Sequence, residues 1–404
     1  MKTLTISLLM AIGAMVSGAM AQPVDGLWDA TVKVNGNEIP FRMEFAGTGD
    51  AVRGNFFNGD ERVPSSGGTL RDGALRLNFD SYANRLEATV GADGIDGRYG
   101  REGRWYEFHA RRPVRAVASA AGAPNIDGLW EIPTKSSKGE AAWRLIVRQK
   151  AGEVSAAILR VDGDTGALTG TWRGGKFVLS HFSGARPNLL ELTPAADGSL
   201  ELLQNGRTKL TALRPAAARA QGLSEPTDPF HHTGVKDPSA AVEFAFPDVD
   251  GRTVSLSDAR FAGKAIVLAI SGSWCPNCHD EAPFLEELYR KYRAEGLEVI
   301  ALSFEEEEQL KSLSRLRAFV KEYGIDYTVL VPGEPGELAA KFPQGENLNS
   351  WPTTFFLGRD HRVRGVHAGY AGRASGEFHK QTKEEITAIV ERLLAEGTSA
   401  GRRE

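Results

Sequence analysis

Cys275 and Cys278 are the only two cysteines in a chain of 404 residues. They lie in 271–285, which reads SGSWCPNCHDEAPFL. Two thiols at this spacing suit thiol–disulfide exchange. One thiolate attacks a partner disulfide, and the other resolves the mixed disulfide that forms. The alternatives need more than the chain offers. A disulfide across so small a loop adds little stability through chain entropy. A zinc site needs two further ligands; His279 and His367 are available, but no Cys2His2 spacing accompanies them. A peroxidatic cysteine would sit in a P-x-x-x-T-x-x-C context, whereas 268–275 reads LAISGSWC.

The pair needs a fold that activates it. Residues 264–270, KAIVLAI, form a nearly continuous apolar run that predicts a buried central strand. After the cysteines, Phe284, Leu285, Leu288, Tyr289 and Tyr292 fall on one helical face, and Gly296 ends the helix. Pro276 suits the first helical turn, where its missing N–H is no loss. The free backbone N–H groups at such a helix start favour the thiolate, which is the nucleophile. Further strands are expected at 242–246, 297–304, 327–331, 352–357 and 364–368. A helix is expected over 307–323 and another along Ile386, Ile389, Val390, Leu393 and Leu394. Alternating strands and helices predict an α/β layered sheet. The run 305–308, EEEE, lies at a strand-to-helix junction, where acids suit a helix N-terminus; a docking surface is the alternative.

The first half of the chain has a different texture. Residues 24–28, VDGLW, recur as 126–130, IDGLW, an offset of 126 − 24 = 102. The same offset maps 68–79 onto 170–181 and 110–113 onto 212–215. This predicts duplication of a unit that can fold alone. Each copy alternates apolar and polar residues, and Asn35-Gly36, Asn58-Gly59 and Asp72-Gly73 are hairpin turn signals. The expectation is two antiparallel β domains, barrels or sandwiches, with Trp28 and Trp130 plugging their cores. Segments 113–124 and 215–229 read as exposed connections, and His231 and His232 as solvated linker residues.

A net charge of −4 without a basic block gives no footprint for nucleic acid. Lys2, the apolar run 4–16 and Ala19-Met20-Ala21 predict an export signal cleaved after Ala21. An uncleaved membrane anchor is the alternative. In a bacterium, export places the mature chain in the periplasm.

Trp274-Cys275-Pro276-Asn277-Cys278 at a strand–helix junction resembles a thioredoxin-fold active site, and Trp351-Pro352-Thr353 resembles that family's cis-proline loop. Segment 250–256, DGRTVSL, followed by Gly263-Lys264, resembles the entry to the first central strand. Together they make 235–396 similar to the TlpA/ResA-type periplasmic thioredoxins. The resemblance implies Cys275 as attacking and Cys278 as resolving thiol. It also implies a substrate groove shaped by Trp274, Pro276, Asn277, Trp351, Thr353 and Pro352, the last in a cis bond. It implies a reductant of protein disulfides recharged by a membrane-bound thiol donor, with no cofactor or metal beyond the Cys275–Cys278 disulfide. One departure stands out. Thioredoxin has a buried Asp six residues before its first cysteine, and this chain has Ala269. Glu281, on the helix face that carries Cys278, is the candidate for proton transfer.

The resulting expectation is a multidomain chain. A signal peptide (1–21) precedes β repeat 1 (22–115) and β repeat 2 (125–215). A linker (216–234), a thioredoxin-like α/β domain (235–396) and a flexible tail (397–404) follow. The β repeats are expected to bind partners or dimerise. The alternative functions are a β-domain binding protein with a redox-inactive or sensor C-x-x-C, and a peroxiredoxin-like thiol peroxidase.

Overall fold

The structure is a computed structural model that describes residues 24–113 and 122–396. The export signal, part of the first connection and the 397–404 tail lie outside the described residues.

The hairpin signals act as their chemistry requires. Asn35 and Gly36, and Asp72 and Gly73, all take positive φ, the geometry of a tight hairpin turn. The strands they join make a nine-stranded antiparallel sheet in which Gly26–Val34 pairs with both Asn37–Ala46 and Arg104–Arg111. The sheet curls until its ends meet. A Cβ on Gly54, from one end, would lie 2.4 Å from Leu77 Cδ1, and one on Gly68 would lie 2.4 Å from Leu77 Cδ2. Leu77 is fully buried and fills the space the two glycines leave.

A second antiparallel sheet runs from Gly128–Pro133 to Thr208–Ala212. Its ends are tied by paired backbone bonds between Glu131 and Leu213, each 2.8 Å. Trp28 and Trp130 are buried in the two cores, as their sequence setting suggests. Trp28 Nε1 donates to Val24 O, and Trp130 Nε1 to Ile126 O. Arg112 lies 4.1 Å over the first ring and Arg214 3.8 Å over the second. Phe182 of the second sheet enters the first sheet's core, 4.9 Å from Phe41.

The third sheet has five strands. Ala265–Ser271 is central and parallel to Leu297–Ser303, which is parallel in turn to Thr328–Leu330. On its other side lies Thr353–Leu357, antiparallel, followed by Val363–Ala368. Helices Pro276–Tyr292, Ser314–Tyr323 and Glu377–Glu396 cover one face. The opposite face packs on Val242, Phe244, Val254 and Phe261. This is the expected α/β layering. No helix among the described residues is long and apolar enough to cross a membrane.

Four local expectations need correction. The strand expected at 242–246 is shifted and shorter, Ala245–Pro247, paired with Thr253–Ser255. The single helix over 307–323 is two, Glu307–Leu310 and Ser314–Tyr323. Leu313 turns left-handed (φ 52°), and the Gln309 side chain accepts from Arg315 N, ending one helix and starting the next. The connection after 215, though largely exposed, is more than a tether. Pro215–Ala220 is helical, and its Arg219 pairs with Glu131. Nor is His232 solvated: it is buried and bonded to Asn349 Oδ1 at 2.7 Å, while Pro229 O accepts from Ala368 N.

Leu77→Ala should lower stability by about 3 kcal/mol, because glycines on both sides leave nothing to refill the cavity. Urea unfolding followed by fluorescence tests this. A loss well below about 1 kcal/mol would mean the curled sheet relaxes around the gap.

Candidate active site

The buried strand Ala265–Ser271 delivers the chain to Cys275, which is the N-cap residue of helix Pro276–Tyr292. Cys278 N donates to Cys275 Sγ at 3.3 Å. The helix start therefore presents a backbone donor to the first sulfur. Both cysteines are free thiols, with 3% and 1% of their surface exposed. Cys275 Sγ lies 3.6 Å from Trp351 O, and the Trp351–Pro352 bond is cis. Thr353 Oγ1 donates to Ser350 O at 2.8 Å and fixes this turn. The structure thus brings two segments 76 residues apart onto one sulfur. Trp274 donates its indole N–H to Phe304 O, and its ring meets Trp351 edge-on at 5.3 Å.

Beneath the pair, Glu281 is buried. Its Oε1 accepts from Thr354 Oγ1 at 2.7 Å, and Thr354 sits opposite Ala269 in the sheet. A carboxyl from the helix therefore reaches the strand neighbourhood where Ala269 offers none. Burial pushes Glu281 up to about 8, with the Thr354 hydrogen bond opposing. Burial also pushes the Cys278 thiol well above its usual range, reinforced by the hydrogen bond and charge of Cys275 and by the charge of Glu281.

The loop before the cysteines is held by a buried ion network. Glu305, the first acid of the run, is fully buried. It accepts from Ser273 N at 2.9 Å, Ser273 Oγ at 2.6 Å and Arg315 at 3.0 Å. Arg315, itself buried, also donates to Ser273 Oγ and Glu306. The reason is satisfaction of charge: a carboxylate with four donors can be buried where an unpaired one cannot.

The β sheets cover the other side of the site. Asn277, between the cysteines, donates to Asp162 O at 2.7 Å and accepts from Arg186 at 2.9 Å. Arg186 also bridges Asp280 at 2.6 Å and faces Asp164 at 3.9 Å. Burial alone would lower the Arg186 pKa, but the Asp280 and Asp164 carboxylates outweigh it and keep the cation protonated. Burial and the like charge of Asp280 push Asp164 up to about 6. Tyr82 stacks on His279 with ring centroids 4.2 Å apart. His279 Nε2 donates to Ser273 O, leaving Nδ1 to accept from Tyr323 Oη, and burial holds the ring neutral with a pKa of about 3. Gly163 bridges to Tyr370, and a Cβ on Gly369 would lie 2.0 Å from Val161 O.

Sequence reasoning missed Tyr82, Asp162, Arg186, Glu305, Arg315 and Thr354. Thr354 had one available signal: it lies two residues past Pro352 in the strand that must pair beside Ala269. Arg186 had none, being 91 residues from Asn277.

Comparisons with known proteins bear on the C-terminal part of the chain. Residues 238–366 match the AhpC/TSA family. Thiol-disulfide oxidoreductase ResA of Bacillus cereus is 29% identical over 153 residues, 38% of this chain and 76% of that protein. Thioredoxin-like protein YneN of Bacillus subtilis is 30% identical over 136 residues, 34% of this chain and 74% of that protein. A putative thiol:disulfide interchange protein DsbE from Chlorobium tepidum, known from a crystal structure, has 23% identity and a TM-score of 0.32, covering 40% of this chain and 99% of that one. Through its C-terminal domain, the chain belongs to the ResA-type, thioredoxin-like thiol-disulfide oxidoreductases.

Proposed function

We propose that Cys275 and Cys278 reduce disulfides of exported protein partners. The observation that carries this is the Cys278 N–H donated to Cys275 Sγ at the helix start, beside the Trp351–Pro352 turn. The Cys275 thiolate attacks one partner sulfur, breaking the partner S–S bond and releasing a thiolate that takes up a proton. Cys278 then loses its proton and attacks Cys275 Sγ. This frees the second partner thiol and leaves the Cys275–Cys278 disulfide, oxidised by two electrons. No cofactor enters these steps. A membrane-bound dithiol donor returns the two electrons.

Glu281 is the proton acceptor for the resolving step. Its position under Cys278 and its raised pKa support this role, since a group titrating near the working pH can both take and return a proton. Trp274, Pro276, Asn277, Trp351, Pro352 and Thr353 frame the substrate groove. The chain is divided as 22–115, 125–215 and 235–396, joined through 216–234. The first two parts arose by duplication, which the matching tryptophan and arginine contacts 102 residues apart support. They are partner-selecting modules. The protein works in the periplasm after export.

Cys275→Ser should abolish reduction of insulin disulfides, and Cys278→Ser should accumulate a covalent mixed disulfide visible on a non-reducing gel. Full activity in both variants would rule the mechanism out. In single-turnover experiments, the resolving rate should rise with pH through about 8, and Glu281→Gln should lose that inflection. An unchanged profile would remove Glu281 from the proton path.

Stability offers an independent check on the same carboxyl. Its pKa rises from 4.5 to about 8 on folding, so the folded state binds more protons across that window. Stability therefore falls as pH rises through it. Glu281→Gln should match the parent near pH 4 and exceed it by at least about 1 kcal/mol above pH 8. The comparison is read from denaturant midpoints at both pH values.

A further inference from the structure

A cleft of about 390 Å³ opens between the two β sheets and the C-x-x-C helix. It ends on Trp274 and Pro276, the chain neighbours of Cys275, and its walls include Tyr82, Arg104, Arg186 and Arg207. The charges around it do not cancel. Arg101 and Arg315 are matched by Glu305 and Glu306, and Arg186 by Asp280 and Asp164. Arg104 and Arg207 are both exposed, and among the described residues neither has a salt bridge or side-chain hydrogen bond. Five guanidinium groups thus face four carboxylates, and the two that form no salt bridge, Arg104 and Arg207, stand at the mouth. A second cavity of about 300 Å³, beyond Tyr82 and Arg186, has no such excess: four carboxylates line it beside Arg62, Arg186, Arg373 and Lys383.

The route matters because the other approach is taken. Asp162 O holds Asn277, and Gly163 bridges to Tyr370 where the sheet edge passes the cis-proline turn. A folded partner cannot lay a strand there without displacing this segment.

Resting on the thiol–disulfide reading above, we propose that the cleft admits carboxylate-bearing disulfides to Cys275, with Arg104 and Arg207 setting the preference. Guanidinium forks bind carboxylates in a planar, bidentate manner. The exchange is the one already balanced: the substrate disulfide gains two electrons and becomes two thiols, and Cys275 and Cys278 become a disulfide. The shared chemistry is a disulfide flanked by carboxylates, either a small molecule or an extended acidic segment of a partner.

The test compares oxidised glutathione, which carries carboxylates, with cystamine, which carries amines, using the full chain recharged by an added dithiol donor whose direct reaction with each disulfide is subtracted. Arg104→Gln and Arg207→Gln should each lower kcat/KM for oxidised glutathione by about fivefold, the effect of one exposed ion pair. Cystamine turnover should be unchanged or faster. Raising salt to about 1 M, where the Debye length is ~3 Å, should erase the parent's preference. A disulfide-bridged acidic peptide distinguishes the sources. Faster turnover than glutathione assigns the cleft to an extended partner segment, slower turnover to a small disulfide, and both support the proposal. Equal losses for glutathione and cystamine, or no loss for either, would overturn it. Cys275-dependent insulin reduction would still stand in that case. If no disulfide is reduced at all, the reading of the C-x-x-C pair falls with it.

Discussion

A thiol must give up its proton before it can act, and a buried thiol resists doing so. The structure is organised around this conflict. Cys275 and Cys278 are both almost completely buried, so bulk water stabilises neither charge. For Cys275 the remedy is backbone: the strand ends at Ser271, the helix begins at Pro276 directly after Cys275, and Cys278 N–H points at the sulfur. Everything that fixes that junction supports the sulfur indirectly. The Ser273–Glu305–Arg315 network pins the preceding loop, and Trp274 is tied to Phe304. The Trp351–Pro352 turn closes over the sulfur from the opposite strand.

Cys278 has a neighbour with a similar burden. Glu281 and Cys278 lie in the same apolar layer, and burial raises both. Both groups are thus penalised in the same direction, each toward its protonated form. The sheet register explains why the carboxyl can come from the helix. Ala269 is small, its cross-strand partner Thr354 offers a hydroxyl, and Glu281 takes that hydroxyl.

Features carried by local chemistry were readable in the sequence. The strand–Cys–helix junction follows from an apolar run, a proline at the first helical position and a periodic stripe. The hairpins follow from Asn-Gly and Asp-Gly pairs, which settle into left-handed turns. The buried tryptophans follow from their repeated setting. What stayed hidden depends on residues distant in sequence. Glu305 looks like one of four acids at a helix start until Arg315, ten residues on, is brought beneath it. The break at Leu313 follows from Gln309 capping the next helix, a competition that helical periodicity does not register. The contacts of Arg186, Asp162 and Tyr82 with the C-x-x-C helix join segments with no common pattern, and only the assembled fold places them there.

The seam between the second sheet and the cis-proline side is made largely of main chain. Gly163 and Gly369 meet with a carbonyl where a side chain would otherwise stand. A joint of this kind has shape but little chemical identity. It tolerates drift in nearby surface residues, yet a single methyl on either glycine would wedge it open. The oxidoreductase half and its β cover are therefore not freely interchangeable with those of other chains. A chimera would seat only if its incoming half kept the bare backbone at the joint, so the two halves must be inherited as a fitted pair.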